Sequence, residues 1–199
     1  MRRDEARQRN RESLMDAAVA EIAAKGYSAA RLEDIAARAD LTTGAIYSIF
    51  ASKRGLLLAA SRRVLEDQVE AVAALADPEL SLAGVLDGLA EFTHRMATAE
   101  LSGLQVAFQL EALAVAFREP ELLAAITQAA DLTAAMTDLL TGRRIDASGA
   151  TTTAEQAERL RPAVESLMSG MSQQVALGAA EVSLEYITAS LRALLALIR

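Results

Sequence analysis

The sequence has no cysteine, which removes disulfides, thiolate nucleophiles and cysteine-ligated zinc from consideration. A single histidine, no glycine-rich phosphate loop and no cluster of metal ligands leave only carboxylates for catalysis. Those carboxylates are spaced like helix-surface charge, so neither an enzyme nor a bound cofactor or metal is expected. Prolines number 3 and aromatics make up 4% of the chain, while alanine and leucine dominate, which favours packed helices over sheets. No strand pattern appears. Long apolar runs are also missing: the longest uncharged stretch, residues 166–180, is short and broken by Ser, Gln and Gly. With no N-terminal run like a signal peptide, a soluble cytoplasmic protein without membrane contact is expected.

What is present is unevenly charged. Residues 1–63 hold 12 Lys or Arg against 8 Asp or Glu, whereas the remainder is strongly acidic and brings the whole chain to -7. A basic front and an acidic rear point to an anionic partner at one end only, although solvated arms produce the same pattern. At 199 residues, the chain can form one large domain or a small one joined to a larger.

The most legible stretch is residues 31–53, RLEDIAARADLTTGAIYSIFASK. Leu32, Ile35, Ala36 and Ala39 place one apolar face on a short helix. Asp40 stands where a left-handed residue would end it, and Thr42 or Thr43 can cap a second helix running to about Ile49. This helix-turn-helix needs a third helix to pack against, which Leu14, Ala18 and Ile22 supply before Gly26. Ser52 can cap a long helix beginning near Lys53. Asp77-Pro78-Glu79 and Glu119-Pro120-Glu121 both read as helix restarts, the second opening a helix to about Leu140. Residues 141–153, TGRRIDASGATTT, read as a mobile loop. Beyond it, Leu160, Val164, Leu167, Met171 and Val175 form one seam, and Leu184, Ile187, Leu191 and Leu194 another. These two helices are taken as a dimer surface, with ordinary core as the alternative.

The N-terminal third resembles the tetracycline-repressor (TetR) family of bacterial regulators. The resemblance rests on Lys25-Gly26-Tyr27, Asp34-Ile35-Ala36, the run Leu41-Thr42-Thr43-Gly44-Ala45-Ile46-Tyr47, and Phe50, Ser52-Lys53 and Leu56-Leu57. It implies an all-α chain of about nine helices: a three-helix DNA-binding domain over residues 1–52 and a helical ligand-binding and dimerisation domain over residues 53–199. Four positions depart from the family's pattern. Ala30 and Arg31 stand where threonines commonly cap the second helix and touch a phosphate. Asp40 replaces a turn glycine, and Ile49 replaces a frequent phosphate-binding histidine.

A helix that enters the major groove needs small or polar side chains at its leading end, with cations or amides for phosphates. Thr42, Thr43, Gly44, Ala45, Tyr47 and Ser48 meet that need, and Lys53 with the amides of its helix suits a phosphate. The Arg-rich arm, Arg2 to Arg11, can add further contacts. One head offers too little surface for tight specific binding, so a homodimer on a near-palindromic operator in double-stranded DNA is expected. The resemblance further implies an inducer pocket among the middle helices. Its candidate polar groups are His94, Gln105, Gln109, Glu111 and Thr133, with Phe92, Phe108 and Met136 as apolar walls, and its ligand would be small and apolar or amphipathic. The alternative is a helical small-molecule carrier or interaction module that has lost specific DNA binding.

Overall fold

The computed structural model describes residues 2–99, 102–127, 132–146 and 148–198. Among the described residues ten α-helices follow one another: α1 Arg2–Lys25, α2 Leu32–Arg38, α3 Thr43–Phe50, α4 Lys53–Ala73, α5 Leu82–Thr98, α6 Ser102–Arg118, α7 Pro120–Thr127, α8 Leu132–Leu140, α9 Ala154–Ala176 and α10 Leu184–Ala193, with a closing 3-10 turn Leu194–Ile198. Among the described residues there is no strand, so the fold is all-α as expected. Where the sequence suggests one helix to Leu140, the described residues form two, α7 and α8; residues 128–131 between them lie outside the description.

The chain makes two compact units, Met1–Glu66 with Leu104–Ala130, and Asp67–Gly103 with Asp131–Arg199. In the first, Leu14, Ala18 and Ile22 of α1 are fully covered together with Ile35, Ile46, Leu56 and Leu57. Phe108, Ala112 and Val115 of α6 and Leu122 of α7 complete this core. Compactness therefore draws a different line from the motif-based boundary at residue 52, because α4 continues unbroken and α6 and α7 pack with the head.

In the second unit, Leu82, Leu86 and Leu89 of α5 meet Leu139 and Leu140 of α8, Leu160 and Val164 of α9, and Ile187 and Leu191 of α10. Helix ends here are locally specified. Ser81 accepts from Gly84 N at 3.2 Å, Ser183 from Tyr186 N at 3.2 Å, and Thr153 and Gln156 form a reciprocal capping box. At the expected restart Asp77-Pro78-Glu79, Asp77 instead holds Glu79 N at 2.9 Å in a turn, and α5 begins later under Ser81.

The segment after α8, expected to be mobile, is pinned. Gly142 N donates to Thr152 O and Thr152 N to Arg143 O, each at 2.9 Å, around an isolated bridge between Arg144 and Thr151. Leu82 N donates to Arg144 O at 2.9 Å, so the segment also satisfies an amide at the start of α5. The buried Arg143 donates to the carbonyls of Leu139 and Asp77, placing a cation at the C-terminus of α8.

Candidate nucleic-acid interface

The turn between α2 and α3 closes as its residues dictate. Asp40 adopts φ 54, Asp40 N donates to Ala37 O at 3.1 Å, and Leu41 N donates to Ala36 O at 2.9 Å. That pair of bonds is a Schellman closure, and Leu41 packs against the head core as the accompanying apolar contact. Asp is one of the few residues that enters the left-handed region at low cost, so the usual glycine is dispensable here.

Helix α2 starts without a side-chain cap at Arg31, as expected from the missing threonines. Ala30 is 1% exposed, and this depth in the core explains a small apolar residue at that position. Charge pairing ties the helix down instead. Lys25 Nζ lies 2.7 Å from Glu21 and 2.9 Å from Asp34, and Arg38 lies 2.8 Å from Glu21. Lys25 and then Arg38 hold the carboxyl of the buried Glu21 below the usual carboxylate range, and Lys25 does the same for Asp34.

Helix α3 presents Thr42, Gly44, Tyr47 and Ser48 to solvent, while Thr43 and Ala45 are half-buried and Ile46 and Phe50 lie in the core. Tyr47 is 58% exposed, too open for a core role. Thr42 has the extended backbone of an N-cap, yet its hydroxyl makes no capping bond. The first amides of α3 are thus left without a side-chain acceptor.

Lys53 follows at the start of α4, and here the structure adds a constraint that the sequence conceals. Its ammonium donates to Tyr27 O, lies 3.5 Å from Ser28 O and sits 4.6 Å from the centre of the Tyr27 ring. Burial lowers its pKa from the usual lysine value. Lys53 therefore clamps the loop between α1 and α2 in this state. Gly55 sets how α4 meets α3: a Cβ built on it would fall 2.1 Å from Phe50 O. Ser52 accepts from Gly55 N at 2.9 Å, as the expected cap of α4.

The residues expected to line an inducer pocket divide between the units. Gln105, Phe108, Gln109 and Glu111 lie in the first, and Phe92, His94, Thr133 and Met136 in the second. Phe108 is 1% exposed within the head core, and Met136 packs in the other core. Glu111 accepts from Tyr27 N at 3.0 Å, so its carboxylate holds a loop amide beside Gly26. Gln109 and Thr133 are exposed, and Phe92 is buried.

A similar redistribution affects the C-terminal pair. Leu160, Val164, Met171, Ile187 and Leu191 are buried within a single chain, because α5 and α8 already cover that side of α9 and α10. Leu167, Val175 and Leu194 are half-buried and Leu184 is exposed. The outward face of α10 carries a different stripe, exposed Tyr186, Ala189 and Ala193, continued by Leu197 of the closing turn.

Residues 14–60 match the family described as bacterial regulatory proteins, tetR family. No curated protein matches the chain in sequence. Among solved structures, the multidrug binding protein EbrR complexed with malachite green is similar at 26% identity and a TM-score of 0.66, covering 92% of this chain and 96% of that one. A TetR-family member from Streptomyces coelicolor A3 shares the fold at 24% identity and a TM-score of 0.72, covering 93% and 97%. The regulator FadR from Bacillus subtilis, in complex with stearoyl-CoA, shares it at 19% identity and a TM-score of 0.67, covering 94% and 96%. Among the described residues no helix is long and apolar enough to cross a membrane. The head thus matches the tetR family of bacterial regulatory proteins over residues 14–60, and the chain as a whole shares the all-helical fold of these solved structures.

Proposed function

We propose that the chain is a ligand-responsive repressor that binds a near-palindromic operator as a homodimer and is released by a small apolar or amphipathic inducer. The observation that carries this reading is the exposed leading face of α3, where Thr42, Gly44, Tyr47 and Ser48 stand free on a helix whose other side is locked into the core by Ile46 and Phe50. Rigid support with small polar side chains outward is what base-edge readout requires. Thr43 and Ala45 flank that face, and the uncapped amides of α3 suit a phosphate.

For the homodimer, the exposed stripe Tyr186, Ala189, Ala193 and Leu197 repeats at helical spacing and lets another helix approach closely over its alanines. Leu184 borders it, so the dimer is assigned to the outward side of the same C-terminal helices. EbrR with malachite green and FadR with stearoyl-CoA are ligand-bound proteins of this fold, which supports an organic inducer without naming it.

Selection of random duplexes on the purified protein at physiological salt tests the reading, and a shared near-palindrome is expected. Recovery of no sequence above background, at low as well as physiological salt, would favour the carrier reading. The commitment of Lys53 to Tyr27 lends that rival its main support.

A further inference from the structure

A cleft of about 240 Å³ opens at the first turns of α1, lined by Asp4, Arg7, Gln8 and Arg11 on one side and by Ile49 of α3 on the other. The four α1 residues recur at positions i, i+3, i+4 and i+7, so one helix face supplies them all. From this arrangement we infer that the cleft holds a backbone phosphate of the bound duplex, with Arg7 and Arg11 as its cations. The inference rests on the DNA-binding reading and adds residues to it.

Arg11 is positioned in advance. Its guanidinium lies 5.1 Å from the centre of the Phe50 ring, over the last residue of α3, where the helix dipole also favours a cation. Phe50 is itself locked in the head core, so Arg11 is held relative to the reading helix rather than to a free arm. Among the described residues, neither Arg7 nor Arg11 enters an ion pair, in contrast to Arg38, Arg54 and Arg63 of the same unit. Asp4 offsets one of the two charges, leaving the cleft net positive, and Gln8 is engaged with Glu12 at 2.8 Å.

The size and lining select the ligand. Pockets for drug-sized molecules run to about 300–1,000 Å³ and are mostly apolar. This cleft is smaller and lined chiefly by polar side chains, with Ile49 its one apolar wall. Guanidinium groups match phosphate oxygens in pairs of hydrogen bonds, which makes a phosphate the fitting occupant. The arrangement also compensates for Ile49, a side chain that cannot contact an anion, because the neighbouring helix brings cations to the same place.

The test is binding of a random-sequence 30-base-pair duplex to the intact protein, followed by fluorescence anisotropy across a salt series. Each phosphate contact contributes about -0.9 to the slope of log K against log salt. Arg7→Gln combined with Arg11→Gln is expected to reduce that slope by about 1 per head and to weaken all duplexes alike, whatever their sequence. Arg9→Gln, on the same helix but outside the cleft, is expected to change it less. Arg7→Gln alone serves where loss of the Phe50 contact lowers the melting temperature of the double variant.

A wild-type slope retained in these variants, or an equal loss from Arg9→Gln, overturns the site while leaving DNA binding intact. Failure of the wild type to bind any duplex at low salt overturns both readings. A parallel arm separates the two sources of phosphate: thermal stabilisation of wild type alone by inorganic phosphate at matched ionic strength, with unchanged duplex slopes, would reassign the cleft to a free anion.

Discussion

Replacing Gly55 with alanine sets two effects of opposite sign against each other. Gly55 lies in the first turn of α4 without a left-handed backbone, and helix propensity alone would make alanine stabilising by about 0.5–1 kcal/mol. The space forbids it. A Cβ at this position would stand 2.1 Å from Phe50 O and 3.2 Å from Phe50 C, and both are backbone atoms that cannot swing aside as a side-chain tip could. Relief requires the start of α4 to move away from the end of α3, disturbing the Ser52 cap, the Lys53 clamp and the packing of Leu56 and Leu57 together. Overpacking of this kind costs about 1–3 kcal/mol, occasionally more, and the backbone contact places Gly55→Ala near roughly 3 kcal/mol. For a chain of this size that lowers the melting temperature by roughly 6–12 °C. The measurement is thermal unfolding by far-UV circular dichroism, with Gly103→Ala as the control. Gly103 is exposed on α6 with nothing within 4 Å of a built Cβ, so alanine there should be neutral or stabilising by about 0.5 kcal/mol. A Gly55→Ala protein that melts at or above the wild-type temperature would refute the steric argument and leave propensity in command.

Glu21→Gln should flatten the acid limb of stability. Because the folded pKa of Glu21 is depressed from 4.5, its contribution is present above that value and is lost as the pH falls through the depressed one; a wild-type and variant pair with identical urea midpoints from pH 7 to pH 3 would contradict this. On α10, Ala189→Glu should give a folded monomer, read by light scattering at tens of micromolar, and a persistent dimer would remove the outward stripe as the interface. Leu191→Asp should cost the second unit its fold instead, because Leu191 is 0% exposed in the single chain. A soluble, fully helical Leu191→Asp protein would overturn that placement.

What the sequence revealed of the head depends on rules that act within a few residues. Leu14, Ala18 and Ile22 announce a buried face by spacing alone, and Asp40 announces a left-handed turn by its conformational tolerance; both are found as expected. Gly55 was silent because its meaning depends on the angle between α3 and α4, which no local pattern encodes. Glu111 accepts from an amide 84 residues away, a partner that no pattern local to its own helix can announce. Composition suggests mobility for residues 141–153, yet Gly, Ser and Thr are equally the residues of a tight turn, and the bonds between Gly142, Arg143 and Thr152, with the distant amide of Leu82, decide between the two. The same ambiguity governs the C-terminal helices. Periodicity shows that Leu160, Val164, Ile187 and Leu191 share buried faces but not what buries them, and here α5 and α8 of the same chain do so. The outward stripe proposed for a second copy is weakly apolar, two of its four residues being alanine, so the larger leucines dominate the sequence pattern. In a helix apolar on two faces, the stronger stripe belongs to the core that must form first within one chain; the weaker one, which must stay soluble until a partner arrives, is where an interface between chains should be sought.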